Sequence, residues 1–531
     1  MLPRTLMGSR LRAGVAVLTA ACSLGVPCAA LADEPFDAIV QDDVRVLQEK
    51  LTLTSSALAA TAYPHYTRPS GTWLTTPASA WTSGFFPGSL WLQYQQTGAP
   101  SWRAEAEARQ AGVEAQKDDT STHDVGFKVF NSFGNGYRLT GNDAYRQVVL
   151  TAARSLATRY NPTVGMIRSW SWGSPYPDYR VITDNMMNLE LLFWAAKHGG
   201  DPAWYDIAVS HALKTREHIV RPNGGTYHVV TFNEETGQVR RKGTHQGYHD
   251  ESTWARGQAW AIYGFTMAYR ETGDPRFLET ARLTARYFLR RLPADMVPHW
   301  DFQAPRIPDA PRDSSAAAIA ASGLLELARR DPDADRRPAY LESARAILHS
   351  LSSSAYLARG TESTAVLLHG TSNKPQGRYD HGLVYGDYYF AEALLRLRWI
   401  DPGTPPLPVA AVRASADEED DVAANTLDDD LETRWSALGS DQWVEYDLGA
   451  ATTVTKVSIA FGEGNERAAR FRIDTSSDGA SWTSVASAIG SGQTLSAETY
   501  DVPDGSARYV RIVGDGNTVD AWNGITEVDI R

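Results

Sequence analysis

Two short segments place a carboxylate at the head of an apolar run. Thr122-His123-Asp124-Val125-Gly126-Phe127 leads into the run Val125–Leu139, and Thr183-Asp184-Asn185-Met186-Met187-Asn188-Leu189 leads into Met186–His198. An Asp in such a place is first of all a helix N-terminal residue, favoured by the helix dipole. Here the surroundings add something. Asp124 is followed by Gly126, and Asp184 by Asn185 and Asn188, which sets polar groups at the start of helices otherwise suited to burial. Two such aspartates facing one another across a cavity would hold one proton between them. Helix N-termini and nearby donors favour the ionised form, while a second carboxylate opposes it. An acid available near neutral pH beside a carboxylate is suited to glycoside chemistry.

A third segment, His245 to Trp260, gathers side chains useful for holding a sugar acid. Arg256 offers a fork for a carboxylate, Trp254 and Trp260 offer stacking faces, and Gln246 offers an amide. The 16 Trp and 23 Tyr of the chain fit the same use. Other chemistries lack their signatures: there is no HExxH, no GxSxG and no phosphate-binding loop. His245 and His249 flank Gly247, which argues for a loop, and no third ligand accompanies them, so a zinc site is not expected. With 51 Lys and Arg against 63 Asp and Glu, a net charge of −12, binding of nucleic acid through a general basic surface is excluded.

Those residues need a frame, and the first 400 residues supply a loose repeat. Thr97-Gly98-Ala99-Pro100, Thr140-Gly141-Asn142-Asp143, Gly200-Asp201-Pro202 and Thr272-Gly273-Asp274-Pro275 each precede an Ala-rich helix, and Pro338-Ala339-Tyr340 opens a fifth. Gly closes one helix in a left-handed cap, Asp or Asn caps the next, and Pro sits where its missing N–H costs nothing. With helices at Phe36–Leu58 and Tyr388–Trp399, the spacing predicts six helical hairpins closed into an (α/α)6 toroid, mainly α, with inner helices around a cavity. In such a ring, helix starts open into one mouth. Pro402, Pro405, Pro406 and Pro408 mark a stiff linker over 402–408. Beyond it, 9 Lys and Arg stand against 23 Asp and Glu, and all 12 His lie before it, so the two parts read as separate objects. The second part, 409–531, alternates with period two at Trp443–Leu448, Val454–Ile459, Phe471–Ile473 and Tyr509–Val513, with turns at Asp478-Gly479 and Asp504-Gly505. This predicts an antiparallel β-sandwich.

Residues 1–32 read as an export signal, with Arg4, Arg10 and Arg12, an apolar stretch Ala13 to Val26, and a cleavage site at Ala30-Leu31-Ala32. Both cysteines, Cys22 and Cys28, fall inside it, so the mature chain is expected to lack disulfides and thiolate chemistry. Thr19-Ala20-Ala21 before Cys22 lacks the leucine usual in a lipoprotein signal, which favours a secreted or periplasmic protein over a lipid-anchored one. No later apolar run is long enough for a membrane helix.

Taken together the motifs resemble the unsaturated glucuronyl hydrolases, glycoside hydrolase family 88. The resemblance runs through Trp81-Thr82-Ser83-Gly84-Phe85-Phe86-Pro87-Gly88, His123–Phe127, Thr183–Asn188, His245–Trp260, Arg312-Asp313-Ser314-Ser315-Ala316 and Tyr385-Gly386-Asp387-Tyr388-Tyr389, over residues 36–400, within a catalytic domain at 33–401. It implies the (α/α)6 fold and removal of a 4,5-unsaturated uronate from the non-reducing end of lyase-generated, glycosaminoglycan-type oligosaccharides, by hydration of the vinyl ether and without a catalytic cofactor. Asp184 matches the principal acid and base, and Asp124 the second essential aspartate. His228, Gln246, Trp254, Arg256 and Trp260 match pocket residues. Trp81 and Trp172 match stacking walls, with Trp170 competing for the place of Trp172. Ser372 and Lys374 are weaker candidates for selecting sulfated substrates.

The second part resembles discoidin-like family 32 carbohydrate-binding modules, through Asn425–Trp435 and Gly524-Ile525-Thr526-Glu527-Val528. That resemblance implies a structural calcium on Asp428, Thr433 and Glu527, and a polysaccharide or cell-surface glycan as partner. Asp428-Asp429-Asp430 replaces the usual Asp-Gly-Asp. Two other functions remain open at this stage. One is hydrolysis of unsaturated rhamnogalacturonan fragments, and the other is a non-catalytic glycan-binding role.

Overall fold

The computed structural model describes residues 36–171, 178–333, 335–398, 406–428 and 430–531. The export signal, Cys22, Trp172, Asp429, Pro402 and Pro405 lie outside them.

Helices alternate between two roles. One set is buried all round: α2 (Phe85–Thr97), α6 (Asn185–Lys197), α8 (Ala255–Thr272), α10 (Ser314–Arg330) and α12 (Val384–Leu397). The sixth member is a π-helical stretch, Gly126–Gly134, that runs into α4 (Asn135–Thr140). Neighbours in this set touch in the order α2, π-stretch, α6, α8, α10, α12 and back to α2, which closes a ring. The other set buries one face and returns the chain outside: α1 (Phe36–Ala57), α3 (Pro100–Ala111), α5 (Asp143–Ala157), α7 (Ala203–His218), α9 (Pro275–Leu289) and α11 (Arg337–Leu351). The expected toroid is therefore present. Its joints carry the expected chemistry: Gly98, Gly141 and Gly273 close α2, α4 and α8 with positive φ, and the side chains of Asn142 and Asp274 cap α5 and α9. The run Val125–Leu139 is not one α-helix, because its first half is wound as the π-stretch.

The N-terminal ends of the inner helices share one face of the ring, the mouth. Small strands decorate the toroid: the hairpins β1 (Tyr63–Thr67) with β2 (Trp73–Thr76) and β3 (Tyr160–Asn161) with β4 (Met166–Ile167), and the sheet β5 (Tyr179–Ile182), β6 (Val229–Phe232), β7 (Val239–Gly243).

The C-terminal domain is antiparallel throughout, in the order β12-β11-β13-β10-β14-β9 with β8 (Ala411–Ala414) on β10. Its remaining strands are β9 (Trp435–Leu438), β10 (Gln442–Phe461), β11 (Ala469–Ser476), β12 (Thr483–Ile489), β13 (Glu498–Asn517) and β14 (Trp522–Ile530). The alternating segments lie in β10, β11 and β13 as expected. Asp504-Gly505 is not a turn between strands. It lies within β13, where the pairing with β10 shifts register around Val454 to Lys456.

The two domains are not separate objects. The sandwich sits on the C-terminal ends of the inner helices, the face opposite the mouth. Arg138 at the end of α4 donates to the Ser491 carbonyl at 2.6 Å, and Thr499 N–H donates to the Arg398 carbonyl at 2.6 Å. Arg330 reaches the Gln493 carbonyl at 3.4 Å. Ala468 and Ile489 of the sandwich are buried in the same apolar cluster as the toroid. Since α2 has 13 residues, the mouth and this base are about 20 Å apart.

A chain shortened to end at Asp401 should keep its turnover of disaccharides yet melt lower, by roughly 2–4 °C for each kcal/mol of interface lost. An unchanged melting temperature would show that the docked sandwich adds no stability to the toroid.

Candidate active site

Asp184 begins α6 with no side-chain cap of its own helix. The sheet β5-β6-β7 puts it there. Ile182 pairs with Val229, Thr183 N–H donates to the His228 carbonyl at 3.2 Å, and the Thr183 hydroxyl donates to the Tyr227 carbonyl at 2.9 Å. These bonds set Asp184 beside His228. Asn185 and Asn188, which the sequence places around Asp184, serve as pins. Asn185 Nδ2 donates to the Ile167 carbonyl at 2.9 Å, and Asn188 Oδ1 accepts from Phe127 N–H at 2.9 Å.

That last bond joins α6 to the π-stretch and so brings Asp124 to Asp184. It requires Gly126, since a Cβ there would lie 2.6 Å from Asn188 Oδ1 and 2.9 Å from its Cα. Gly84 plays the same part on the other side, where a Cβ would lie 2.2 Å from the carbonyl oxygens of Phe127 and Lys128. Asp124 is held by the Thr122 hydroxyl, which donates to its Oδ2 at 2.7 Å, and by His123 Nε2 at 3.2 Å from Oδ1. Both aspartate side chains keep an opening to the mouth, at 14% exposure for Asp184 and 20% for Asp124.

Burial pushes the Asp184 carboxyl up to about 7, with the positive charge of Arg256 pulling the other way and the negative charge of Asp124 adding to the rise. Its Oδ2 has no hydrogen-bond partner among the described residues. Facing it at 3.8 Å is Nε2 of His228. His228 Nδ1 accepts from the backbone N–H groups of His245 and Gln246, both at 3.2 Å, so the ring proton of the neutral tautomer is on Nε2. Burial, with His245 and Arg256 nearby, holds His228 well below the usual imidazole range, so it stays neutral. The site thus contains one carboxyl poised near neutrality, a neutral N–H donor pointing at it, and Asp124 alongside.

Several expected substrate contacts are engaged inside the protein. The Arg256 fork donates to the carbonyls of Thr371 at 2.5 Å and Ser372 at 2.8 Å and lies 3.3 Å from Asp313 Oδ2. It is a fixed charge behind the carboxylates, and its two forked nitrogens are already taken. Trp254 is 2% exposed, with the His228 ring 4.3 Å from its own and the Arg256 guanidinium 4.4 Å over it, so it is packed inside the protein. Trp260 is fully buried against Phe127 and Tyr389, with its indole directed so as to favour the ionised Asp184. Gln246 spends its amide N–H on the Ser372 carbonyl at 2.9 Å. Trp81 is half-buried and lies tilted against Tyr385 at 4.9 Å, and Trp170 lies 5.7 Å from His245. Lys374 sits 3.7 Å over Tyr379, beside Ser372.

Three residues of the site were not singled out for a role in the sequence. Asp313 caps α10 and holds Arg256. His123 steadies Asp124. Tyr385 lies among Trp81, Arg256 and Asp184, and its buried hydroxyl has no hydrogen-bond partner among the described residues. Each stands at or just before the start of an inner helix or stretch, and that position was the available signal.

In the sandwich, Asp428 Oδ2 accepts from the Thr433 hydroxyl at 2.8 Å and its Oδ1 from Asp430 N–H at 3.0 Å. Glu527 lies within electrostatic reach of Tyr446, whose hydroxyl bonds Thr426 at 3.0 Å. Hard oxygen donors of this kind suit calcium, which takes about 6–8 of them, so backbone carbonyls and water would complete the set. Among the described residues, no three acidic, His or Cys side chains converge on one point.

Comparison with known proteins adds the following. Residues 57–391 match the model of Glycosyl Hydrolase Family 88, and residues 411–528 that of the F5/8 type C domain. An unsaturated glucuronyl hydrolase of Formosa agariphila is 47% identical over 325 residues, 60% of this chain and 80% of that protein. An unsaturated chondroitin disaccharide hydrolase of Streptococcus pyogenes is 36% identical over 324 residues, again 60% and 80%. The solved structure of an unsaturated glucuronyl hydrolase specific for heparin superposes with a TM-score of 0.66 at 38% identity, over 68% of this chain and 97% of that one.

The raised Asp184 has a consequence for stability. A carboxyl whose folded pKa exceeds its unfolded value destabilises the fold above the unfolded pKa, near 4, and the cost grows until pH passes about 7. At about 1.4 kcal/mol per unit the cost is at most about 4 kcal/mol. Asp184→Asn removes it, so its gain in melting temperature should be larger at pH 8 than at pH 5. A gain equal at both would mean that Asp184 does not titrate near neutrality.

Proposed function

Because the chain belongs to glycosyl hydrolase family 88, we propose that it is an exported glycosidase, an unsaturated glucuronyl hydrolase that releases 4,5-unsaturated uronic acid from the non-reducing end of lyase-generated glycosaminoglycan-type oligosaccharides. The observation that carries this reading is the Asp184 carboxyl, protonated near neutral pH next to a second aspartate. A vinyl ether reacts by protonation at carbon, which needs an acid that keeps its proton at working pH.

The chemistry then runs as a hydration. Asp184 gives its proton to carbon 4, and positive charge develops across carbon 5 and the ring oxygen. The Asp184 carboxylate takes a proton from water as the water oxygen bonds to carbon 5, which restores the acid. The resulting hemiketal breaks its bond from carbon 5 to the ring oxygen and becomes a ketone. The hemiacetal left at carbon 1 releases the remaining saccharide as an alcohol. Asp124 positions and tunes Asp184, and the His228 Nε2–H donates a hydrogen bond at the reacting face. Arg256 supplies fixed positive charge for the sugar carboxylate from behind the Trp254 ring. Trp81, with Trp172 or Trp170, and the neighbouring Gln246 and Trp260 shape the walls. Ser372 and Lys374 border the mouth where a sulfate would lie.

The sandwich anchors the enzyme to a polymer or cell-surface glycan. Its place at the base, about 20 Å from the mouth, supports an anchoring role over a direct part in catalysis. A calcium ion held by Asp428, Thr433 and Glu527 would brace its acidic loop.

Incubation with lyase-generated chondroitin, hyaluronan, heparin and rhamnogalacturonan disaccharides should bleach the ultraviolet band of the unsaturated uronate for one or more of the glycosaminoglycan products. Asp184→Asn should slow this by about 10²–10⁴-fold while keeping binding. Bleaching of the rhamnogalacturonan product alone would reassign the substrate, and no bleaching with any would remove the hydrolase reading. Chelation of calcium should lower the melting temperature of the full chain's sandwich transition, with a bound ion at a hundredfold excess over its dissociation constant worth about 2.7 kcal/mol. An unchanged transition would dismiss the calcium.

A further inference from the structure

A cleft of about 890 Å³ opens on the outer wall of the toroid, between the last turn of α7, the face of α9 and the segment 220–227. Its lining includes Arg216, Arg221, Lys242, Arg282, Arg286 and Arg336, against the acids Glu217 and Glu279. Arg282 is neutralised by Asp331, and Arg336 by Asp333. Glu217 is engaged by Lys214 at 2.8 Å. Arg216, Arg221, Lys242 and Arg286 have no carboxylate within 4.0 Å among the described residues. The part of the chain before Val409 is close to balance, with 42 Lys and Arg against 40 Asp and Glu, so four cations without an ion-pair partner in one cleft are a local concentration.

Two of these cations are fixed in place. Arg221 donates to the Thr226 carbonyl at 3.0 Å, the Thr253 hydroxyl at 2.9 Å and the Ser252 carbonyl at 3.0 Å, and it lies 3.9 Å over the Tyr227 ring. Lys242 Nζ sits 4.9 Å over the same ring. All of Arg221's partners are neutral, so its charge is positioned but not cancelled. Partial burial and then the nearby Arg221 lower the Lys242 pKa, and the more distant carboxylates of Glu251 and Glu217 offset this only in part. The cleft stands back to back with the reacting site. Ser252 and Thr253 hold Arg221 on one side, and the next residue, Trp254, begins the wall beside His228 on the other.

We propose that this cleft is a second saccharide site, which holds a chain of anionic glycan bearing sulfates or uronate carboxylates outside the mouth. Guanidinium forks and an ammonium over an aromatic ring match such groups, and the ring itself offers a face to the sugar. The choice of a saccharide among polyanions rests on the proposed function of the mouth. An enzyme held in this way stays on the polymer at which lyase products arise, and the polymer does not have to enter the active site.

The test uses the full chain and a size-defined, saturated chondroitin sulfate oligosaccharide, which has no unsaturated end for the mouth. The wild type should bind it, more weakly as salt rises. Lys242→Glu combined with Arg286→Glu should weaken binding at least tenfold, and the milder Lys242→Gln with Arg286→Gln should weaken it in the same direction. Both variants should turn over an unsaturated disaccharide at the wild-type rate, and the bound oligosaccharide should not inhibit that turnover. Absence of binding, binding unchanged in the variants, or competition with the disaccharide would each overturn the proposal. Single-stranded RNA bound as tightly, with the same loss in the variants, would overturn the choice of a saccharide. If the wild type binds the saturated chain but turns over no unsaturated disaccharide, the hydrolase reading fails while the cleft assignment stands.

Discussion

The desolvation of one carboxyl, opposed by one fixed guanidinium, is the interaction on which the rest of the site depends. Asp184 is stripped of water at the start of an inner helix, and that alone favours its neutral form. Arg256 limits the effect and keeps the group within reach of ionisation. Arg256 can do so only because Thr371, Ser372 and Asp313 hold it immobile and desolvated. A freely moving arginine in this place would pair with Asp184 and fix it as a carboxylate. The ring of helices is the means of holding these groups from four different parts of the chain at one mouth. The close approaches at Gly84 and Gly126 set how near the helix starts can come.

The two ends of the toroid do different things. The mouth collects helix N-termini and the carboxylates. The base collects helix C-termini and the arginines Arg138, Arg330 and Arg398, and there the sandwich is seated. Cations near helix C-termini complement the dipole; Arg138 and Arg330 reach backbone carbonyls of the sandwich, while the Arg398 carbonyl accepts from Thr499 N–H. Since the module is attached to the base, any glycan it holds is kept apart from the reacting pair. The outer-wall cleft beside α7 and α9 is a separate feature again.

Much of this was legible in the chain. The hairpin joints are local, a Gly to end one helix and an Asn, Asp or Pro to begin the next, so the repeat and the ring could be read directly. Asp124 and Asp184 stood out because a carboxylate among Asn and Gly at the head of an apolar helix is unusual. What was not legible depended on partners distant in sequence. The anchoring of Arg256 by Thr371 and Ser372 is of this kind, since they lie 115 and 116 residues away. The packing of His228 and Arg256 against Trp254 was likewise not legible. The proline-rich linker and the change in charge suggested independent domains, yet Arg138 meets Ser491 353 residues later. The π-winding of Gly126–Gly134 has no periodicity that separates it from an α-helix over so short a stretch.

The central claim is that burial keeps Asp184 protonated near neutral pH while Asp124 stands beside it. The most direct measurement is an infrared titration of the carboxyl stretch, with the wild type compared with Asp184→Asn. The account predicts, in the wild-type-minus-variant difference, a protonated-carboxyl band that persists to about pH 7, over the bands that Asp43 and Asp387 give in both proteins. A difference band lost by about pH 4, the ordinary carboxylate range, would contradict it.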